Sequence, residues 1–455
     1  MNLVRRIRYG AVALALVSSM MLTSVPGPLV AAGPAVPKEI QRLYDKKDYQ
    51  KAIEEIGKLD QATAAAPDLR RLKVRTLLRL GNPKDALGEY DKLEAALKQD
   101  DVPLLREVAL GFILVMVKDM REQMRGAAYT ALKEVESDEV VPFFEDGLSD
   151  GSGPVRVLAV EGLGRSEAGR KSSKLRTALE DQAGLVKARA VKVLGRSGDP
   201  GVVPLIEAAT KDELNAVRLA AYASLIRLGR KEAWDQLRQA ADAPNPEDRA
   251  EAIRLIAELN DQRGVPVMAE LLSYKQPSVR GAAARGLGHL GRKELRRKIE
   301  ELLHDPIPAV RESAAASLAD MGAVESVPAL TASLKDGAFS VRAAAAAALL
   351  QLGQPFETVA STLRHLAQQN DTGARAAAAH ALGKATAANR DGAISLLESL
   401  LADPLPGPKI VAVRSLGHVG TRSILPLVKE ALHDQNDAVR TTAGGALLHI
   451  LQQKK

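Results

Sequence analysis

The sequence predicts an all-α protein, folded as a right-handed superhelical solenoid of stacked helix pairs. Two observations support this fold class. Apolar residues make up 46% of the chain but aromatic residues only 3%, which suits many closely packed small helices and leaves little material for sheet cores. In addition, a pattern of alanine and leucine returns every 31 residues over most of the chain, as is typical of repeat proteins.

The first 32 residues have the character of a secretory signal peptide. Three arginines among the first eight residues are followed by an apolar stretch over residues 11–25. Val30, Ala31 and Ala32 then supply the small residues that a signal peptidase reads. An uncleaved anchor is the alternative, but the roughly 15 apolar residues here are fewer than the roughly 20 that span a bilayer. We therefore expect cleavage before Gly33 and no stable membrane insertion afterwards.

Composition and charge narrow the expected location and partners. The chain contains no cysteine, so it can form no disulfide and lacks the residue on which a bacterial lipoprotein is lipidated. We expect a periplasmic protein, with secretion as the alternative. Without the three arginines of the expected signal, 60 basic residues face 56 acidic ones. The basic residues are scattered along the chain, so the composition predicts no nucleic-acid partner.

Residues 33–102 are interpreted as a helical cap. Two similar segments, at residues 48–53 and 82–87, place Ala52 and Ala86 34 residues apart. This spacing resembles that of tetratricopeptide repeats, with a plain helical hairpin as the alternative. A strongly apolar helix predicted over residues 103–118 then joins the cap to the next region.

Residues 103–455 are interpreted as a solenoid of about eleven units, each a pair of helices. The first helix of each unit carries an alanine, followed four residues later by a leucine or isoleucine on the same helical face. This alanine column comprises Ala128, Ala159, Ala190, Ala221, Ala252, Ala283, Ala314, Ala345, Ala378, Ala412 and Ala443. Left-handed turns are predicted after the first helices, at Gly198, Gly229, Asn260, Gly291, Gly322, Gly353 and Gly420.

Acidic and basic residues recur with the same period, one at the end of a unit and the other at the start of the next first helix. The aspartates include Asp150, Asp181, Asp212, Asp305, Asp336 and Asp434. The arginines include Arg156, Arg218, Arg280, Arg311, Arg342 and Arg440. A stripe for anionic ligands is one interpretation. We favour a structural ladder, in which each arginine meets aspartates of its own and adjoining units and so sets the register between units.

These units resemble short HEAT-like repeats of the kind found in phycobilin lyases. One unit shows the pattern from Asp305 through Val310-Arg311 and Ala314-Ala315 to Leu318 and Gly322. The resemblance covers roughly residues 120–455. It implies stacked helix pairs but does not indicate a function, because such repeats occur in lyases, glycosylases, adaptors and scaffolds.

Residues that could carry chemistry are few and follow the repeat. The seven histidines mostly occupy recurring positions, so we expect no metal site. There is no His-Glu dipeptide such as deoxyhypusine hydroxylase uses, no glycine-rich phosphate loop and no cysteine nucleophile. Trp234 aligns with apolar positions of neighbouring units, which predicts a core residue and not a binding hot spot. The sequence thus predicts no catalytic residue, no cofactor and no enzyme activity.

The predicted function is that of an exported scaffold or adaptor that binds other proteins. We expect the partner on the curved surface of the stacked second helices. Two proline-rich departures from the repeat, at residues 243–246 and 403–408, are further expected contact points. A lyase or chromophore chaperone resembling phycobilin lyases is the alternative, and DNA binding is a third hypothesis that the scarcity of aromatic residues disfavours.

Overall fold

The computed structural model describes residues 36–135 and 137–453, and these residues form α-helices and short 3₁₀ helices with no strand. The prediction of an all-α protein is therefore confirmed. The expected signal peptide, residues 1–32, lies outside the described residues. The chain divides into two compact units: unit 1 combines the residues up to Phe143 with those from Thr421 onwards, and unit 2 runs from Phe144 to Gly420. The predicted domain boundary at residue 102 stays a prediction, because these units reflect packing and not repeat type.

The α-helices follow one another along the chain, separated by short turns and loops. The chain begins with α1 (Lys38–Asp45), α2 (Tyr49–Gly57), α3 (Gln61–Ala64), α4 (Pro67–Arg79), α5 (Pro83–Leu97), α6 (Val102–Leu114), α7 (Glu122–Leu132) and α8 (Val141–Gly147). It continues with α9 (Gly153–Leu163), α10 (Glu167–Arg170), α11 (Gly184–Leu194), α12 (Val203–Ala209), α13 (Asn215–Arg227), α14 (Trp234–Ala240), α15 (Pro246–Glu258), α16 (Gly264–Leu271) and α17 (Pro277–His289). The last are α18 (Arg296–Glu301), α19 (Pro308–Asp320), α20 (Val327–Ser333), α21 (Phe339–Gln351), α22 (Glu357–Ala367), α23 (Thr372–Leu382), α24 (Arg390–Leu401), α25 (Pro406–Val419), α26 (Leu425–Glu430) and α27 (Asp437–Gln452).

Short 3₁₀ helices complete most units, either before the second helix or at its end. They span Asp138–Val140, Ser173–Glu180, Pro200–Val202, Lys231–Ala233, Lys293–Leu295, Leu302–His304, Val324–Ser326, Arg422–Ile424 and Ala431–His433. In one unit the long 3₁₀ segment at Ser173–Glu180 stands where the other units have a second α-helix.

The first part of unit 1 consists of two helical hairpins with matching turns. Lys47 lies between α1 and α2 with φ 63°, and Gly81 lies between α4 and α5 with φ 77°. These two residues are 34 positions apart, and each follows the end of its helix by two residues. The fully buried Ala52 and Ala86 occupy equivalent places in the second helix of each hairpin. That these hairpins are tetratricopeptide repeats stays a prediction.

The rest of unit 1 is built on contacts between residues far apart in sequence. The apolar helix α6 packs against α4 and α5, as its sequence predicts, and also against α27 at the end of the chain. Glycines allow this last contact, because a Cβ atom on Gly444 would lie 2.6 Å from the carbonyl oxygen of Ala109. The ammonium group of Lys429, a residue of α26, lies 2.6 Å from a carboxylate oxygen of Glu94 and 2.8 Å from one of Asp100.

Unit 2 is a stack of helix pairs. Each first helix packs on the next, from α9 through α11, α13, α15, α17, α19, α21 and α23 to α25. All eleven alanines of the predicted column, in both units, are completely buried. Their short side chains let neighbouring helices approach closely, and the leucines four residues later fill the space beyond them. The predicted helical repeat is therefore confirmed at its core.

Most of the predicted left-handed turns have positive φ, but one does not. Gly198, Gly229, Gly291, Gly322 and Gly353 have φ between 64° and 94°, and Asn260 has φ 55°. The prediction for Gly420 is wrong, since its φ is −75°. Helix α25 runs on to Val419, and the Gly420 N–H still donates to the Leu416 carbonyl. Gly420 is thus the last residue to complete the helical hydrogen bonding, and no left-handed turn forms there.

No helix in the described part of the chain combines the length and apolar character that crossing a bilayer requires.

Candidate functional site

The predicted ladder residues meet in a geometry that recurs from unit to unit. Arg156 donates from Nε and Nη2 to the two carboxylate oxygens of Asp181, at 2.6 and 2.8 Å. Arg280 and Asp305, and also Arg311 and Asp336, form the same bidentate pair at 2.7 to 2.9 Å. In each pair the aspartate lies 25 residues after the arginine. The planar guanidinium matches the carboxylate, which gives these contacts both strength and directional specificity.

Each ladder pair also connects to the backbone of the adjoining loops. Arg311 donates from Nη1 to the carbonyl of Asp305, six residues earlier, at 2.8 Å. The carboxylate of Asp336 in turn accepts the N–H of Ala338 at 2.8 Å. Each arginine therefore ties the end of one unit to the end of the next, and each aspartate caps the turn that starts the following first helix.

Three of the predicted arginines lack a bidentate partner in the described residues. Arg218 and Arg342 donate to the carbonyls of Asp212 and Asp336 but not to an aspartate carboxylate. Arg440 donates to the Asp434 carbonyl and pairs with Asp437 of its own helix. The reason for Arg218 lies in the sequence, since alanine stands 25 residues later at position 243. The predicted Asp150 carboxylate accepts the N–H of Ser152, and that of Asp434 accepts the N–H of Asn436.

Three more basic residues occupy the same recurring position as the ladder arginines, and two of them form ion pairs of the same kind. Lys187 pairs with Asp212 at 2.5 Å, and Arg375 pairs with Asp403 at 2.5 Å. Arg249 differs, because Tyr274 occupies the position of the aspartate. The guanidinium carbon of Arg249 lies 4.4 Å from the centre of the Tyr274 ring, so a cation–π contact replaces the ion pair.

The ladder lowers the pKa of its aspartates. The hydrogen bond from Arg156 is the main cause for Asp181, and the hydrogen bond from Arg311 is the main cause for Asp336. At Asp305 burial raises the pKa, but the bonds from Arg280 and from the Ile307 N–H outweigh it. These carboxylates are thus charged and engaged within the chain at neutral pH. The ladder consequently offers little to an external ligand.

The candidate site lies on the outward side of the first helices. A groove of about 540 Å³ crosses α17, α19, α21 and α23, and its lining is dominated by alanine. We call it the first-helix groove. Its lining comprises Arg285, Ala309, Glu312, Ser313, Ala316, Ala319, Asp320, Ser340, Ala343, Ala344, Ala347, Ala348, Gln351, Ala377, His380 and Lys384. The sequence predicts a partner on the second helices and does not predict this groove.

The groove follows the repeat, because its lining occupies the same positions in successive units. Ten of the sixteen lining residues lie one residue before, two after or six after the buried alanine of their first helix. Ala316 and Ala347 stand two residues after it in the central units, whereas Arg285 and His380 stand there in the flanking units. Short side chains in two consecutive units, bordered by long ones, leave the depression.

The outward side of the first helices is basic. In the nine units of α9 to α25 these three positions carry nine lysines and arginines: Arg165, Arg189, Lys192, Arg196, Arg227, Arg254, Arg285, Lys384 and Arg414. The same positions carry four acidic residues: Glu161, Glu251, Glu258 and Asp320. Basic residues that look scattered along the sequence thus share one face, which the composition alone does not indicate.

One contact links units that are not neighbours. Lys192 on α11 donates to Glu258 on α15 at 2.7 Å, across the intervening helix α13. Arg227 of α13 donates to the Glu258 carbonyl at 2.9 Å. The intervening unit carries Ala223 at the position equivalent to Lys192, which leaves room for the two long side chains to meet. Lys192 and Glu258 thus connect alternate units over the short side chain of Ala223.

Other residues named by the sequence have structural places. Trp234 is buried, which confirms the predicted core position, and the Arg263 guanidinium lies 4.0 Å from its ring centre. The two proline-rich segments that interrupt the repeat lead into first helices: Pro246 begins α15 and Pro406 begins α25. Among the described residues, no group of three or more histidine, aspartate or glutamate side chains is arranged to hold a metal ion.

These features define a helical-repeat protein with an extended groove across consecutive units. HEAT repeats match residues 172–244, 234–295, 275–350, 295–383 and 334–408, which together cover more than half of the 455 residues. The chain therefore belongs to the HEAT-repeat family, and the predicted resemblance is confirmed for this region. No curated protein matches the sequence.

Several solved structures are similar to the chain at low identity. Human deoxyhypusine hydroxylase in complex with glycerol is 19% identical, with a TM-score of 0.31 over 55% of this chain and 97% of that chain. The complex of CpcE and CpcF of phycocyanin lyase from Nostoc sp. is 22% identical, with a TM-score of 0.36 over 52% and 91%. A mutant of Kap121p is 13% identical, with a TM-score of 0.38 over 96% and 56%. None of these similarities is close enough to indicate an activity.

Proposed function

We propose that this protein is a non-catalytic scaffold that holds a partner protein in the first-helix groove. The groove itself carries the proposal. Solvent-facing sides of helices normally present long polar side chains, but here Ala316, Ala344 and Ala347 face outwards in consecutive units. A shallow surface with an alanine floor and a polar rim suits contact with another protein better than the enclosure of a small molecule.

The groove is also held rigidly, which favours its use as a binding surface. Arg280 to Asp305 and Arg311 to Asp336 are two consecutive ladder pairs at the base of α17, α19 and α21. They fix the spacing of the helices that form the floor. A preorganised surface loses less conformational entropy on binding.

The test is affinity capture with the full chain as bait and a variant that fills the groove. We expect Ala316→Arg combined with Ala347→Arg to abolish capture of the partner, because two long side chains would occupy the floor. Val324→Arg is the matched control, since Val324 is 57% exposed and does not line the groove. Circular dichroism should show that both variants keep the helical content of the parent. A partner retained equally by all three proteins would place binding elsewhere and contradict the proposal.

We also propose that the scaffold works after export, in the periplasm or outside the cell. The basic start, the apolar stretch and the small residues before Gly33 support this proposal. The test is cell fractionation followed by amino-terminal sequencing of the recovered protein. A mature chain beginning at Gly33 in the periplasmic fraction or the medium is expected. An uncleaved chain in the cytoplasm would contradict export without bearing on the groove.

A further inference from the structure

The first-helix groove has cations at its rim that the chain leaves unpaired. Within the described residues, the side chains of Arg285, Lys384 and Arg414 make no hydrogen bond or ion pair. Arg285 and Lys384 line the groove at opposite ends, on α17 and beyond the end of α23. Arg414 occupies on α25 the position that Arg285 occupies on α17, two residues after the buried alanine. Most other cations of this face are paired, for example Arg254 with Glu251 at 2.8 Å.

The acidic residues of the groove are engaged internally. A carboxylate oxygen of Glu312 accepts a hydrogen bond from the Ser340 hydroxyl, and one of Asp320 accepts from the Gln351 amide at 3.2 Å. These contacts join adjacent first helices. Each acid thus has a hydrogen-bond partner within the chain, whereas Arg285 and Lys384 are exposed without one. Because unpaired cations surround a floor of small apolar side chains, the surface is complementary to a chain that carries both carboxylates and short apolar residues.

Positive charge surrounds His380 at this end of the groove. Packing against its neighbours lowers the pKa of its imidazole, and Lys384, Arg414 and His418 lower it further through their positive charge. Lys384, Arg414 and His418 thus lie close enough for their positive charge to act on the imidazole of His380. A carboxylate brought among them would relieve that repulsion.

Resting on the scaffold function proposed above, we infer that the occupant of the first-helix groove is an acidic protein segment, in which aspartates or glutamates alternate with small apolar residues. Its carboxylates pair with Arg285 at one end and with Lys384 and Arg414 at the other. Its apolar residues lie on the alanine floor. A nucleic acid fits less well, because no phenylalanine, tyrosine or tryptophan lines the groove for base stacking.

The experiment uses fluorescence anisotropy with the full chain and three probes. The first is a labelled peptide of twelve residues made of glutamate and alanine, the second is the same peptide with glutamine in place of glutamate, and the third is a single-stranded oligothymidine of equal net charge. We expect the glutamate peptide to bind about tenfold more tightly than the glutamine peptide at low salt, and this difference to shrink as salt is added. The oligothymidine should bind more weakly than the glutamate peptide.

Charge reversal localises the site. Arg285→Glu combined with Lys384→Glu should weaken binding of the glutamate peptide about tenfold or more. The matched control is Lys231→Glu combined with Lys335→Glu, which changes the net charge equally at two exposed lysines outside the groove. Equal weakening by both double variants would mean a general charge effect and would overturn the inference. So would tighter binding of the oligothymidine with the same dependence on Arg285 and Lys384, which would assign the surface to nucleic acid.

The two proposals fail separately. If the groove-filling arginines abolish capture of a protein partner but neither peptide binds, the scaffold function stands and the acidic occupant is rejected. If the glutamate peptide binds through Arg285 and Lys384 while partner capture ignores the groove, the acid-binding site stands and the scaffold needs another surface.

Discussion

A single aspartate of the ladder accepts hydrogen bonds from several groups. Asp336 accepts two hydrogen bonds from Arg311 and one from the Ala338 N–H, and its carbonyl accepts one from Arg342 at 2.7 Å. Removing such a side chain leaves a mostly buried guanidinium and a turn N–H without their partner. The cost of leaving these groups unpaired exceeds the net contribution of any one of the bonds.

A double-mutant cycle tests this coupling. We expect Asp336→Ala and Arg311→Ala each to destabilise the protein by about 2 kcal/mol, with a coupling free energy of about 1 to 2 kcal/mol in the double variant. Thermal and chemical unfolding followed by circular dichroism would measure it. Arg342→Ala is the control from the same column, because Arg342 donates to carbonyls and forms no bidentate pair. Additive effects of Arg311→Ala and Asp336→Ala would show that the pair does not act as a unit.

Tyr274 offers a second test at this scale. Because it stands in the aspartate position and lies against Arg249, Tyr274→Asp should restore an ordinary ladder pair and leave stability within about 1 kcal/mol of the parent. Tyr274→Ala should be less stable than either, since the guanidinium then has neither ring nor carboxylate. Denaturant unfolding curves of the three proteins would rank them. A ranking with alanine above aspartate would argue against a shared position.

At the scale of helices, the close contact between α6 and α27 depends on glycine. An added Cβ at Gly444 would meet the Ala109 carbonyl oxygen at 2.6 Å, and backbone atoms cannot move aside as a flexible side chain can. The neighbouring Gly445 would meet the Cα atom of Ala131 at 3.1 Å. Unit 1 therefore owes the approach of α27 to α6 and α7 to residues that contribute no side chain.

Gly444→Ala should accordingly destabilise the protein by about 1 to 3 kcal/mol, even though alanine favours helix more than glycine does. Gly88→Ala in α5 is the matched control, because nothing lies within 4 Å of its added Cβ. That control should be neutral or slightly stabilising. Melting temperatures from calorimetry would compare the two. A Gly444→Ala protein as stable as the control would mean that α6 and α27 do not pack as described.

For the molecule as a whole, the repeated ladder makes stability depend on pH. The pKa values of Asp181, Asp212, Asp305, Asp336 and Asp403 are all lowered in the folded chain. Each therefore contributes stability that is fully present above the pKa of an unfolded aspartate, about 3.9, and is lost as the pH falls through the lower folded value. Because the helix pairs stack on one another, these losses of stability add up along the chain.

The melting temperature should thus stay nearly constant from about pH 7 to pH 5 and fall steeply below about pH 4. Asp336→Asn should start from a lower melting temperature and lose less of it on acidification, since one of the titrating groups is gone. Thermal unfolding at a series of pH values would measure both. An equally steep fall in the variant would show that other carboxylates, and not the ladder, cause the acid sensitivity.

How much of the structure could be predicted from the sequence depends on how local the contacts are. The all-α fold and the buried alanine column follow directly from the 31-residue period, because each first helix packs against the first helix of the next unit. Positions of aspartate and arginine in the same period also bring Arg311 and Asp336 within reach, 25 residues apart. The predicted left-handed turn at Gly420 was wrong because one additional helical residue before it changes the place of Gly420 in the turn.

The sequence by itself thus determined the helical repeat and its core, since periodic burial needs only neighbouring units to meet. Only the tertiary structure decided what lies on the surface and at the chain ends. The lysines and arginines of the basic face come together because the first helices stack in register, and this stacking also brings Lys192 to Glu258 across an intervening helix. Likewise Lys429 of α26 meets Glu94 of α5, and α27 packs against α6. No period in the chain encodes these contacts between distant residues.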